Sequence, residues 1–330
     1  VDEPVITAEV RAQMTAGGPV VALESTLISH GLPYPHNLTL ARDTERIVRS
    51  AGAVPATIGV LDGVVRIGLD DAALVALAAG VDVVKLSARD LGPALATGRT
   101  GGTTISATAH LAATAGIRVF ATGGLGGVHR REHRRLSRAE DELARAPEAI
   151  EPVDRGEHRD AASTRDVSAD LDTLARTPIA VVCSGVKSLL DVPATVERLE
   201  SLGILVLGYR TDEFPGFYVP GTGIRLDWRV EEPESVAAVL RAAAAMNTGR
   251  ATVVANPIPR EFGLERELHD RAVAEALAAA AAAGVTGKAV TPFLLQRFLE
   301  ATGGASLAAN IALVKSNAEL AARIAVALAD

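Results

Sequence analysis

Residues 178–187 read PIAVVCSGVK, an apolar, partly β-branched run that stops at a Ser-Gly pair. Such a run, short and bounded by Pro and Gly, reads as a strand buried on both faces. The pattern recurs on either side. GILVLGY (203–209) follows it, and IRVFATGG (117–124), VDVVKLS (81–87) and PVVALEST (19–26) precede it. Helical stretches lie between, one near 104–115 and one over 37–51. In the latter, Asn37 is the expected N-cap, with Asp43, Glu45 and Arg46 on the polar side. ATIGVLDGVVRIGL (56–69) reads as a hairpin turning at Asp62-Gly63, after which Asp70 caps a helix over 71–79. Strand–helix alternation predicts an α/β fold with a largely parallel central sheet, and ligands in such sheets sit beyond the carboxyl ends of the strands. The chain reads as one domain over 1–330. Inside it, residues 131–164 carry dense charge of both signs and no hydrophobic stripe, which reads as a flexible insertion.

Composition narrows the function. Hydrophobic residues make up 48%, enough for a large core, but aromatic residues only 3%, too few for a base-stacking platform. A net charge of −7 argues against a duplex-binding surface and leaves room for a small anionic substrate. The single cysteine, Cys183, rules out an internal disulfide. The Ala-rich stretch near 275–284 is too short for a membrane span and fits a helix. The missing initiator Met suggests a start upstream of Val1, no secretory pattern opens the chain, and the cytoplasm is the expected location.

Several residues carry chemistry. Lys187 follows an apolar strand, where desolvation would favour a neutral, nucleophilic amine. It also reads as a surface lysine opening the helix of SLLDVPATVERLE. Glu24 ends VVALE, where it is either a general acid or a strand-end ion pair. His30 and His36 flank a Pro-containing loop without metal-ligand spacing. Lys85 interrupts an apolar strand, and a phosphate is a suitable partner. GGTT (101–104) precedes a helix whose N-terminus would hold an anion, and ATGGLGGVHR (121–130) is a second glycine loop, ending at His129-Arg130. In DVSADL (166–171), Asp166 could ligate a hard divalent cation through one oxygen, while its Asp or Ser could instead cap the next helix. TDEFPGFY and ANPIP would wall a pocket. Asn310 and Lys315 are polar positions on an apolar helix.

Together these segments resemble one family. ALESTLISHGLPYPHN, VKLSARDL, GGTTISAT, TGGLGGVHR, DVSADL, VVCSGVKSLLD, TDEFPGFY, ANPIP, TPFLL and SLAANIALVKSNA occur in the order seen in pseudouridine-5′-phosphate glycosidases, a family similar to the indigoidine-cluster protein A. The likeness runs from about residue 4 to the C-terminus. It implies a three-layer α/β/α fold, a homotrimer, a divalent metal (usually manganese), and reversible cleavage of pseudouridine 5′-phosphate to uracil and ribose 5-phosphate. By the same resemblance Glu24 is the proton donor, Lys187 the nucleophile and Asp166 the metal ligand. Lys85, Ile105, His129, Ser168, Ala169 and Asp170 match substrate-binding positions. The chain departs from the family pattern in the charged segment between GGVHR and DVSAD, which a member of the usual kind lacks. A lyase of another sugar phosphate and a non-catalytic nucleotide-binding protein are the competing readings. The first is separated by which base is released, the second by the pairing of Lys187 with Glu24, which binding alone does not need.

Overall fold

The computed structural model describes residues 3–130, 166–285 and 290–330. The charged segment expected to be an insertion, residues 131–164, therefore lies outside the described residues. The strands are β1 (Val5–Ile6), β2 (Val20–Leu23), β3 (Val54–Leu61), β4 (Val64–Ile67), β5 (Val84–Leu86) and β6 (Gly101–Thr103). They continue with β7 (Val119–Ala121), β8 (Ala180–Cys183), β9 (Leu205–Tyr209), β10 (Arg229–Val230) and β11 (Thr252–Ala255). The α-helices are α1 (Ala8–Thr15), α2 (His36–Ser50), α3 (Asp71–Ala79), α4 (Leu91–Ala96), α5 (Ile105–Thr114) and α6 (Ala169–Leu174). They end with α7 (Val192–Ser201), α8 (Pro233–Ala245), α9 (Arg266–Ala282), α10 (Val290–Ala301) and α11 (Ala305–Ala329).

The sheet runs β1-β4-β3-β2-β7-β8-β11-β9-β10, with β6 paired to β3 and β5. From β3 through β2, β7, β8, β11 and β9 to β10 every pairing is parallel; β3–β4 and β3–β6 are antiparallel. The strands alternate their side chains between two apolar layers. Val20, Ala22, Phe120, Val181, Cys183 and Val253 face a layer supplied by α1, α5, α6 and α7. Val21, Leu23, Val119, Ala121, Ala180, Val182 and Val254 face α2, α8 and the second half of α11. Both faces are covered, so each strand reads as an unbroken apolar run. This is the expected three-layer α/β/α arrangement. A third cluster, built from α9, α10 and the start of α11 with Phe217 and Tyr218, packs on the loops that leave the carboxyl ends of the strands.

Local expectations largely hold. Asp62 and Gly63 both have positive φ (49° and 76°), as a two-residue hairpin turn of the β3–β4 kind requires. Asp70 accepts from Ala73 N at 2.8 Å and caps α3. The Ala-rich stretch lies in α9, and no helix among the described residues is long and apolar enough to cross a membrane.

Two expectations on α2 fail for one reason, which is burial. Asn37 lies inside the helix rather than capping it. Its amide donates to Ile28 O at 2.7 Å and Ala78 O at 2.9 Å, satisfying carbonyls that packing has cut off from water. Glu45 is buried, not on the polar side, and accepts from Thr57 Oγ1 at 2.6 Å. Burial pushes its carboxyl up, against the pull of Thr57 and Arg49. A folded pKa raised above the unfolded value of about 4.3 gives stability present below that value and lost as pH rises through the folded one. Glu45→Gln is therefore expected to match the wild-type Tm near pH 4 and exceed it by a few degrees near pH 8, as calorimetry across that range would report.

Candidate active site

Four neighbouring strands, β2, β7, β8 and β11, end at one edge, and the residues just past those ends converge. Glu24 follows β2, Thr122-Gly123-Gly124 follow β7, Ser184 to Lys187 follow β8, and Asn256 follows β11. Glu24, Lys85 and Lys187 line one cavity of about 50 Å³, closed by Gly123, Phe217 and Asn310. Three of the residues singled out in the sequence thus share one space. A wider cavity of about 280 Å³ adjoins it and shares His30, Gly31, Leu295 and Asn310. TDEFPGFY does wall the site, through Phe217 on the smaller cavity and Tyr218 on the wider one.

Glu24 accepts a short hydrogen bond from Thr122 Oγ1. Burial pushes its carboxyl above the ordinary range. The positive charge of Lys187 and the Thr122 bond pull the other way, Asp170 adds to the rise, and Lys85 opposes it. The outcome is a carboxyl inclined to hold its proton, the property a general acid needs.

Lys187 is half-buried, in a turn stitched to the glycine loop. Leu125 N donates to Gly185 O at 2.8 Å, Lys187 N to Leu125 O at 3.1 Å and Asp191 N to Val128 O at 2.8 Å. Arg130 Nε donates to Leu190 O at 3.2 Å, closing the far end. The helix expected to begin at Ser188 begins instead at Val192, because Asp191 caps it by accepting from Ala194 N. The intervening turn leaves the Lys187 side chain facing the cavity. Gly185 makes that turn possible. Its φ is +84°, and a Cβ there would stand 2.1 Å from Pro215 O. Gly185→Ala is expected to destabilise the protein by about 2 kcal/mol or more, and to lower activity because Lys187 lies two residues on. Urea unfolding and a turnover assay check both.

The DVSADL segment runs beside the end of the glycine loop. His129 N donates to Asp166 O and Ser168 N to Gly127 O, each at 2.9 Å. Asp166 and Ala169 are exposed, and Ser168 caps α6. Asp170 is buried, and its carboxylate accepts from Ser106 N at 3.0 Å and Gly126 N at 3.1 Å. The amide of Ser106 at the start of α5, expected to hold an outside anion, is thus met by the protein's own carboxylate. Gly101 and Gly102 lie in β6 rather than in a phosphate loop. Glycine is needed at 102 because a Cβ would meet Ser29 Oγ at 2.1 Å and Ser25 O at 2.9 Å. Ile105 has its side chain in the core, so only its backbone is near the α5 N-terminus.

His30 pairs through Nδ1 with Ser29 Oγ at 2.7 Å, while His36 starts α2 in an exposed position. Lys315 binds Asp43 Oδ2 at 2.7 Å, outside the cavity. Asn310 is buried on the cavity wall and its Oδ1 has no hydrogen-bond partner. Sequence reasoning marked the Ser184 turn and ANPIP, which contains Asn256, without giving either polar side chain a role, and it did not single out Thr122 or Asn317. Asn317 had a signal, since it lies two helical turns beyond Asn310 and hence on the same face.

Comparison with known proteins places the chain. It matches the family described as "Indigoidine synthase A like protein" over residues 9–150 and 155–327. A pseudouridine-5′-phosphate glycosidase of Streptomyces griseus is 54% identical over 329 residues, covering 99% of this chain and 93% of the relative. One from Salinispora tropica is 55% identical over 323 residues, covering 97% and 90%. Among solved structures, a prealnumycin C-glycosynthase in complex with ribulose 5-phosphate is similar with a TM-score of 0.82 at 34% identity, covering 100% of this chain and 98% of that one. An indigoidine synthase A-like protein of Thermotoga maritima has the same TM-score and coverage at 33% identity.

Proposed function

The chain belongs to the family of indigoidine synthase A-like proteins, and from that premise we propose that it cleaves, reversibly, the C–C glycosidic bond of pseudouridine 5′-phosphate. The observation that carries the reading is one cavity holding both a half-buried lysine and a carboxyl with a raised pKa. The identity to relatives of that name supports the substrate.

The bond to be broken has no heteroatom leaving group, so a pair of carboxylates is poorly matched to it. Lys187 supplies an alternative. Its amine, after giving up a proton to water, attacks C1′ and forms a C–N bond. The C1′–O4′ pair leaves to the ring oxygen, which Glu24 protonates. The alkylated amine sheds a proton and uracil C5 gains one. The nitrogen lone pair then forms the C=N bond as the C1′–C5 pair returns to the uracil ring. Water hydrolyses the imine, releasing ribose 5-phosphate and restoring Lys187. Atoms balance as substrate plus water giving uracil plus sugar phosphate.

The other residues divide by chemistry. Lys85 on the cavity wall and His129 would hold the phosphate end of the substrate. The Ile105 backbone would contact it, and the run Ser168, Ala169 and Asp170 would line it beside the metal, Asp170 by holding the amides of Ser106 and Gly126 in place. Asn310 offers a buried, unpaired carbonyl to a ring N–H of the base. Asp166 would hold the divalent metal, with Mn²⁺ the expected ion. The donor fits in kind: the Asp166 carboxylate is exposed, and one carboxylate oxygen suits a hard cation that keeps most of its waters. Bound there, such a cation would supply positive charge beside the substrate-binding run. Nucleoside breakdown is the proposed context, in the cytoplasm and in a homotrimer.

The test is release of uracil from pseudouridine 5′-phosphate, with uridine 5′-phosphate as the control, before and after chelation and Mn²⁺ return. Borohydride with ribose 5-phosphate should trap an adduct on Lys187. An adduct on another lysine, or none, overturns the mechanism.

A further inference from the structure

We propose that Asn317 is a positioning residue for the reacting pair: its side-chain amide ties the loops leaving β7, β8 and β11 together and acts on Glu24 through Thr122. The proposal rests on the reading of Glu24 as proton donor.

Asn317 lies in the middle of α11, fully buried, among Ala, Leu and Ile. Burying an amide there is unfavourable unless its bonds are made, and they are. Its Nδ2 donates to Thr122 O at 2.8 Å, Gly123 O at 3.3 Å and Ser184 Oγ at 3.1 Å. Its Oδ1 accepts from Asn256 Nδ2 at 2.9 Å and lies 3.3 Å from Ser184 Oγ. Every one of these partners comes from the first residues past a strand end.

Two of those ends carry the chemistry. The carbonyls of Thr122 and Gly123 belong to two successive peptides, so holding both fixes the chain as it leaves β7 and aims Thr122 Oγ1 at Glu24. Ser184 opens the turn that presents Lys187, and its carbonyl accepts from Phe217 N at 3.0 Å, on the cavity wall. An apolar residue would fill the same space in α11 without tying the ends. The amide therefore sets the separation of acid and nucleophile, not just the packing of the helix. Loss of about an ångström in such placement costs on the order of 10²-fold in rate.

Glu24 faces Lys187, Asp170 and Lys85, so its protonation reports on its surroundings. Without Asn317 the Thr122 hydroxyl drifts from the carboxylate, which loses a bond favouring its charged form. The alkaline limb of the kcat profile, where Glu24 gives up its proton, should then move up.

The experiment is a double-mutant cycle of Asn317→Ser and Thr122→Val, reading kcat, KM, the alkaline limb and Tm for uracil release. Asn317→Ser should lower kcat about 10²-fold with little change in KM. It should raise the limb by about one pH unit, the worth of one hydrogen bond to a charged group. In the Thr122→Val background it should move the limb no further. Should Asn317→Ser not fold, Asn317→Thr, which fills more of the space, replaces it with the same expectations. An unchanged kcat and limb in folded variant overturns the proposal. So does an equal limb shift in both backgrounds, or a loss of activity that only tracks the unfolded fraction. If the wild type itself releases no uracil, the glycosidase reading falls and the proposal falls with it.

Discussion

Lys187→Ala is expected to abolish uracil release, by about 10⁴-fold or more, and to remove the borohydride adduct with ribose 5-phosphate. Lys187→Arg should be as inactive, since a guanidinium keeps the charge but offers no free amine to attack C1′. Both variants should remain folded. The turn is held by backbone bonds, Lys187 N to Leu125 O at 3.1 Å and Leu190 N to Lys187 O at 2.9 Å, which no side chain supplies. Their Tm values should therefore lie close to the wild-type value. This matters because a charge-only role predicts partial activity for Lys187→Arg, whereas a covalent role predicts none. Retained cleavage in either variant would sink the Schiff-base route while leaving the fold and family untouched.

What made Lys187 legible was its local context. The run of residues 180–183 is apolar because β8 is buried on both faces, and the Ser-Gly pair marks the strand's end. The same logic located β2, β7 and β9, because periodicity is fixed by the sheet itself. The antiparallel pairing of β6 with β3 was not legible. GGTT reads as a loop, and only the approach of Ser25 and Ser29 explains its glycines. Asn37 and Glu45 were misread for a related reason. A polar residue on a helix looks solvent-facing until its buried partners are known, and those partners lie far along the chain. The site repeats this division. Glu24, Lys85 and Lys187 stand out as charges in apolar strands. Thr122 and Asn317 do not, and Ser184 stands out only as the end of a strand, since hydroxyls and amides are common there, and their role arises only when three ends meet.

Glu24→Gln separates the two halves of the chemistry. Glutamine keeps the shape and can still accept from Thr122 Oγ1, so the cavity should persist, but it has no acidic proton to give the ring oxygen. Cleavage of pseudouridine 5′-phosphate should fall by about 10²- to 10⁴-fold. Trapping of ribose 5-phosphate by borohydride should survive, because its open-chain aldehyde condenses with Lys187 without ring opening by Glu24. The pH profile adds a sign. Burial raises the Glu24 pKa, with Asp170 adding and Lys187, Thr122 and Lys85 opposing, so the protonated form persists above the ordinary carboxyl range. Wild-type kcat should hold below that raised value and fall as pH rises through it. In Glu24→Gln that limb should vanish, leaving the residual rate flat across the same window. A limb that persists unchanged would assign the proton to another group, and loss of trapping together with cleavage would mean that Glu24 serves Lys187 rather than the sugar oxygen.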